Sequence, residues 1–287
     1  TILDYIDKNK GTKLKIKKIY SYQQKKFSYI SKNINLKFIN KDFLFVKKLP
    51  EIDFIIFLIK SDTLIKSKLI YNHFEKKLLQ LTKKPKILYF SSGVVYGLNS
   101  ENKKILESKP INIKIINNFK NYKKNYAKEK IFLEKKLLSL RKKKFKISIV
   151  RGFTYVGKHI PQNSIYLIGN FIKSIINKKN LILKSNIKTV RSYMHEEDLA
   201  RCTLEILNLK KTDGKIYNVG SDDEIDAKYL ANKLSKKYSL KLIHKKINEK
   251  KIDYYVPDIK KIKKELNFKL KSSSYKSIIK TINFLKN

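Results

Sequence analysis

Two hydrophobic rhythms run through the chain. Leu14 to Tyr20 alternates apolar and basic residues, the two-residue period of a strand, and Leu36 to Asn40 predicts a second short strand. Asp53 to Ile59 is a nearly continuous apolar run and predicts a fully buried strand. Ile87 to Phe90 is another such run, and it ends in Ser91-Ser92-Gly93. Lys146 to Val150 adds a later strand. Between them the period lengthens. Ser67 to Lys83 predicts a long amphipathic helix closed by Pro85, and Tyr122 to Lys144, Asp226 to Tyr238 and Ser274 to Leu285 predict further helices. Thr1 to Asn9 is a short helix-like start, and Leu98 to Asn118 reads as a loop. At 287 residues the chain could form one large α/β domain, or a large lobe with a smaller one.

Two stretches of this pattern carry chemistry. In the helix at 122–144, Tyr126 and Lys130 stand four residues apart and leave the same helix face. An ammonium beside a phenol favours the phenolate, so the pair is a candidate general base. Upstream, the apolar strand delivers Ser92 to its carboxyl end, where open α/β sheets bind ligands.

Ser91-Ser92-Gly93-Val94-Val95-Tyr96-Gly97 followed by Tyr126-x-x-x-Lys130 resembles the extended short-chain dehydrogenase/reductases, in their NAD-dependent epimerase/dehydratase branch. Arg151-Gly152-Phe153-Thr154-Tyr155-Val156-Gly157 and Val190-Arg191-Ser192-Tyr193-Met194-His195-Glu196-Glu197-Asp198-Leu199-Ala200 extend the resemblance. It implies a Rossmann-like doubly wound parallel sheet over 1–160. A smaller substrate-binding lobe over 161–287 would return strands to the main sheet. It also implies a nucleotide-diphosphate sugar as substrate, NAD as cofactor and a homodimer through the helices at 67–83 and 122–144.

Residue by residue, the resemblance implies that Ser92, Tyr126 and Lys130 are catalytic. Tyr126, Lys130, Phe153 and Asp42 would meet the cofactor, Asp42 near the adenine, although a solvated turn aspartate is an equal reading. Ser92, Thr154, Asn170 and Arg191 would meet the substrate, Arg191 at its diphosphate, because a guanidinium forks onto phosphate oxygens. His195 reads as a packed strand histidine, and Asp198 as ordering the next helix start.

The chain also departs from the family. The only glycine between Thr1 and Ser92 is Gly11, so the glycine-rich turn that cradles a dinucleotide pyrophosphate is missing. The expectation is that Thr1 to Asn9 is the tail of a first helix whose preceding strand, central to the sheet, lies upstream. The rival is a degenerate, non-catalytic relative, which the bulky Leu58-Ile59-Lys60 favours. Ser21-Tyr22-Gln23 offers neither an acid nor an arginine, with Lys25 and Lys26 following, so NADP stays open beside NAD. Gly93 and Val94 stand where family dehydratases carry Asp-Glu, and neither transfers a proton. An epimerase or 4-keto reductase is therefore expected before a 4,6-dehydratase.

Composition changes this picture little. A formal charge of +43 suggests nucleic acid or an anionic surface, but only four of the 67 cationic residues are arginine and lysine is spread along the whole chain. No basic block stands apart, so no specific nucleic-acid partner is expected. The single cysteine, Cys202, falls in an apolar helical pattern and excludes disulfides and thiolate metal sites. No apolar run approaches the length of a membrane span, and a cytoplasmic protein is expected.

Overall fold

A computed structural model describes residues 2–8, 18–22, 35–39, 43–59, 61, 63–161 and 166–286. In chain order the elements open with α1 (Ile2–Lys8), β1 (Lys18–Tyr22), β2 (Asn35–Ile39), β3 (Phe54–Phe57), α2 (Leu64–Leu78) and β4 (Lys86–Ser92). Next come α3 (Ile113–Asn117), α4 (Asn121–Ser139), β5 (Lys146–Gly152), β6 (Tyr155–Val156), α5 (Leu167–Ile176), β7 (Leu181–Leu183), β8 (Ile187–Ser192) and β9 (Met194–His195). The chain closes with α6 (Glu196–Asn208), β10 (Ile216–Val219), β11 (Glu224–Asp226), α7 (Ala227–Tyr238), β12 (Leu242–His244), β13 (Asn248–Tyr255), α8 (Lys260–Leu266) and α9 (Ser274–Lys286). Where the sequence drew one boundary at 160, the two compact units interleave along the chain. The first holds Thr1–Val95, Ile116–Arg151 and Ala200–Ile216; the second holds Tyr96–Ile115, Gly152–Leu199 and Tyr217–Asn287.

In the first unit β3, β4 and β5 lie side by side, β3 parallel to β4, and the sheet continues beyond β5 from Ile216. β1 and β2 form a separate parallel pair. Ile87 and Tyr89 of β4 and Ile147 and Ile149 of β5 are fully buried against Tyr71, Phe74 and Leu78 of α2 and Leu133 and Leu137 of α4. Burying each such side chain stabilises the fold by roughly 1.5–3 kcal/mol. β3 corrects the expectation of a fully buried strand: Phe54 is 39% and Leu58 59% exposed. Among the described residues β3 ends the four-stranded sheet, so one side of it has no neighbour to cover it.

The helix predicted over 67–83 begins earlier, at Leu64, because Thr63 caps it: its Oγ1 accepts the Lys66 N–H at 3.2 Å. The helix predicted over 122–144 stops at Ser139 and tightens into a 3₁₀ turn, closed by Lys144 in the left-handed region at φ 65°. Lys86, at the start of β4, reaches the C-terminal end of α6. Its ammonium donates to Ile206 O at 2.7 Å, Leu209 O at 2.6 Å and Thr212 Oγ1 at 2.7 Å, where helix carbonyls lack partners of their own. Burial pulls this amine down to about 8, which still leaves it charged at neutral pH with an acceptor for each of its three donors.

The second unit carries β8 between antiparallel β11 and parallel β13, a parallel pair β7–β12 and a parallel pair β6–β9. Phe171 and Ile172 of α5, Leu230 and Leu234 of α7 and Ile278 and Ile282 of α9 pack into its core. The loop expected at 98–118 contains α3, started by Asn112 Oδ1, which accepts the Ile115 N–H at 3.2 Å. Gly97 sits at φ 82°, and a Cβ there would meet Ile115 Cγ2 at 3.0 Å, so the Val-Tyr-Gly turn admits no side chain at its end.

Among the described residues no helix is long and apolar enough to cross a membrane, and no three His, Cys, Asp or Glu side chains could together hold a metal ion.

Candidate functional site

Tyr126 and Lys130 occupy successive turns of α4. The Tyr126 ring is stacked on that of Tyr122, with centroids 6.5 Å apart and planes 3° from parallel, which fixes its orientation. The Lys130 ammonium lies 5.3 Å from the centre of the Tyr126 ring and 5.1 Å from that of Tyr89. Lys130 is buried, and it donates to Ile59 O and Phe90 O at 3.1 Å each. Those carbonyls stand just past the end of β3 and near the end of β4. The structure thus brings Tyr126, Lys130 and the carboxyl ends of two parallel strands together. Ser92 ends β4 two residues beyond Phe90, half-buried, with its Oγ accepting the Val94 N–H at 3.3 Å.

Beneath this face lies a buried polar network that the sequence reading did not anticipate. Arg151 of β5 grips Glu134 of α4 through Nε at 3.0 Å and Nη2 at 2.7 Å, and the Ser91 hydroxyl bonds the same carboxylate. Arg151 therefore ties strand to helix; it is not a phosphate-facing arginine. Glu129 is buried too, its Oε2 accepting the Ser61 N–H at 3.2 Å. Tyr89 OH makes no hydrogen bond among the described residues. Burial, reinforced by the negative charges of Glu129 and Glu134, pushes its phenol well up, so it stays neutral. The available signal was helical spacing: Glu134 falls one turn after Lys130 on the same face. Nothing local marks it as buried.

In the second unit, Thr154, Asn170 and Arg191 line one cleft of about 590 Å³, with Lys173, Lys184 and Asp253. Three residues proposed from separate sequence motifs thus meet in one cavity of the size small-molecule sites have. The Arg191 guanidinium donates to Val190 O at 2.8 Å, Asp253 O at 2.7 Å and Asp253 Oδ2 at 2.6 Å. These bonds use three of its five donors and hold the fork in place. Tyr193 also lines the cleft, its phenol pushed up to about 12 by burial. No sequence signal marked Asp253, Lys173 or Lys184.

Phe153 is buried between the rings of Tyr255 at 4.6 Å and Tyr96 at 6.4 Å. Asp42 lies outside the described residues. His195 is a packed strand histidine: its Nδ1 accepts the Glu197 N–H at 3.3 Å, and burial, with the Lys280 charge, holds its pKa below the usual value. Asp198 lies in the first turn of α6. Its carboxylate accepts the Lys271 N–H at 2.9 Å, because the chain ahead of α9 passes over it.

Residues 67–220, more than half of the chain, match the NAD dependent epimerase/dehydratase family. No curated protein matches the chain significantly. Among solved structures it is similar to a UDP-glucose 4-epimerase of Thermotoga maritima, crystallised with UDP-glucose. That match has 15% identity over all of this chain and 96% of the other, with a TM-score of 0.75. It is also similar to a DesIV double mutant, a dTDP-glucose 4,6-dehydratase of Streptomyces venezuelae with NAD bound, at 16% identity over all of this chain and 92% of the other, TM-score 0.75. A UDP-glucuronic acid 4-epimerase of Bacillus cereus, in complex with UDP-glucuronic acid and NAD, matches at 18% identity over 88% and 82%, TM-score 0.71. These likenesses establish the Rossmann-like α/β fold, and the family match goes further. The chain belongs to the NAD-dependent epimerase/dehydratase family.

Proposed function

We propose that this chain is a nucleotide-sugar epimerase or 4-keto reductase working through Ser92, Tyr126 and Lys130. One observation carries the reading: the Lys130 ammonium is buried 5.3 Å from the Tyr126 ring and anchored on carbonyls at the carboxyl ends of β3 and β4. That is where open α/β sheets bind their ligands. The same geometry fits the nicotinamide end of NAD, with Lys130 and Tyr126 as the residues that would hold it. NAD held there would supply reversible hydride exchange at a sugar carbon. Tyr126 removes the proton of the sugar hydroxyl, and Ser92 steadies that oxygen. Lys130 favours the phenolate by its charge.

In this reading the residues of the Arg191 cleft hold the nucleotide of the substrate. The cations of the cleft suit a diphosphate, and Arg191 is its principal ligand. The UDP- and dTDP-sugars named for the similar structures are the substrates to try first. Gly93 and Val94 are buried and cannot exchange protons, which favours epimerisation or reduction over dehydration. Incubation with NAD and UDP-glucose or dTDP-glucose is expected to give a C4 epimer; a reductase is expected instead to convert a 4-keto sugar to its alcohol when NADH is supplied as the hydride donor, Tyr126 giving the proton. A 4-keto-6-deoxy product would overturn the assignment. Replacing Arg191 by Lys keeps the charge but loses the fork; KM is expected to rise roughly 10- to 100-fold with kcat changed far less, as loss of one charged hydrogen bond requires. An unchanged KM would remove Arg191 from the nucleotide site.

The reading also pairs α2 and α4 with a second copy of the chain. Ile65 and Leu69 of α2 are 72% and 55% exposed, and Tyr122 of α4 is 54% exposed, an apolar surface on both helices. Sedimentation analysis is expected to show a dimer that Ile65→Lys converts to a monomer. A wild-type monomer would sink this part.

A further inference from the structure

Glu129 has no part in the chemistry above, yet it immediately precedes Lys130 and is as deeply buried. Its Oε1 lies 3.8 Å from the Lys130 ammonium and makes no hydrogen bond among the described residues. Its Oε2 is held from outside the helix: the Ser61 N–H donates to it at 3.2 Å, and the Ser61 hydroxyl stands 3.1 Å away. Ser61 is fixed in turn, its hydroxyl 2.5 Å from that of Ser67 on α2. The carboxylate is therefore pinned with one oxygen left toward the ammonium.

We propose that Glu129 is a positioning residue that counterbalances Lys130 and so sets the pH at which Tyr126 gives up its proton. This rests on reading Tyr126 as the general base.

The other groups facing the ammonium do not do this. From α4 itself comes the Tyr126 ring; from β4 come the Tyr89 ring and the Phe90 carbonyl; from the exit of β3 comes the Ile59 carbonyl. Tyr89 carries no charge, and Glu134, one turn on, is neutralised by Arg151 of β5. Among the described residues Glu129 is the one carboxylate left to offset Lys130 without an arginine of its own. A negative charge there disfavours a phenolate, so Tyr126 keeps its proton to higher pH than Lys130 alone would dictate.

Glu129→Gln removes the charge and keeps an acceptor for Ser61. The acid limb of the kcat/KM profile is expected to move about one pH unit lower, within the range for a nearby charge. Turnover on that limb should then be about tenfold faster, with the alkaline plateau unchanged. The phenol can be read without NAD or sugar, by ultraviolet difference titration of the wild-type and Glu129→Gln proteins, each against its Tyr126→Phe version. Glu129→Ser deletes charge and side chain together and is expected to give the same shift, so the test does not hang on one variant. A purely structural role predicts altered thermal stability with an unmoved titration. An unchanged Tyr126 titration in either folded variant overturns the proposal. Full turnover in Tyr126→Phe would instead overturn the reading of Tyr126 as the base, while the titration would still report whether Glu129 acts on its phenol.

Discussion

Tyr126→Phe is expected to lower kcat by about 10²- to 10⁴-fold, the usual contribution of a positioned acid–base group. The substitution is clean. Phe keeps the stack on Tyr122 and the ring face toward Lys130, so only the hydroxyl is lost. Half-buried and on the surface of α4, the ring contributes little to the core, and thermal unfolding should hardly move. KM for the nucleotide sugar should stay within a few-fold, because the substitution leaves the residues proposed to hold the nucleotide untouched. Lys130→Met should be as damaging to kcat and worse for the fold. It leaves the Ile59 and Phe90 carbonyls without their donor and Glu129 without its counter-charge. Steady-state kinetics on the first active nucleotide sugar decides the matter: a Tyr126→Phe enzyme within tenfold of wild type would end the assignment of the base.

What the sequence could and could not reveal follows from the range over which each signal acts. The Tyr126–Lys130 pair was legible because helical spacing alone brings two side chains to one face. Thr154, Asn170 and Arg191 were legible only as members of motifs; their meeting in one cleft is a tertiary fact that spacing does not encode. Helix ends were misjudged where a side chain decides them, as Thr63 does for α2. β3 was misjudged because an apolar run says nothing about whether a neighbouring strand covers its edge. Glu129 and Glu134 look like solvated positions in a lysine-rich helix. Their burial depends on Ser61, 68 residues away, and on Arg151, 17 residues away.

The second large effect follows from that last pair. Both partners are almost wholly buried, with side chains 6% and 4% exposed, and the guanidinium engages both oxygens of the carboxylate. Arg151→Met leaves the Glu134 charge buried with, among the described residues, only the Ser91 hydroxyl to satisfy it, and breaking one side of such a pair costs about 3–5 kcal/mol. For a chain of this size that lowers Tm by roughly 10 °C in thermal denaturation. Pairing Arg151→Met with Glu134→Leu removes both charges, and stability should recover most of the way because the desolvation penalty goes with them. The recovery separates an ion pair that stabilises the fold from one that merely must not be half-broken. Its function is then positional: it seats α4 on β5 one turn beyond Lys130, so even the stable double variant is expected to lose kcat by loosening the helix that carries Tyr126. A single Arg151→Met protein that melts with the wild type would show that the carboxylate finds another partner, and the seating argument would fall with it.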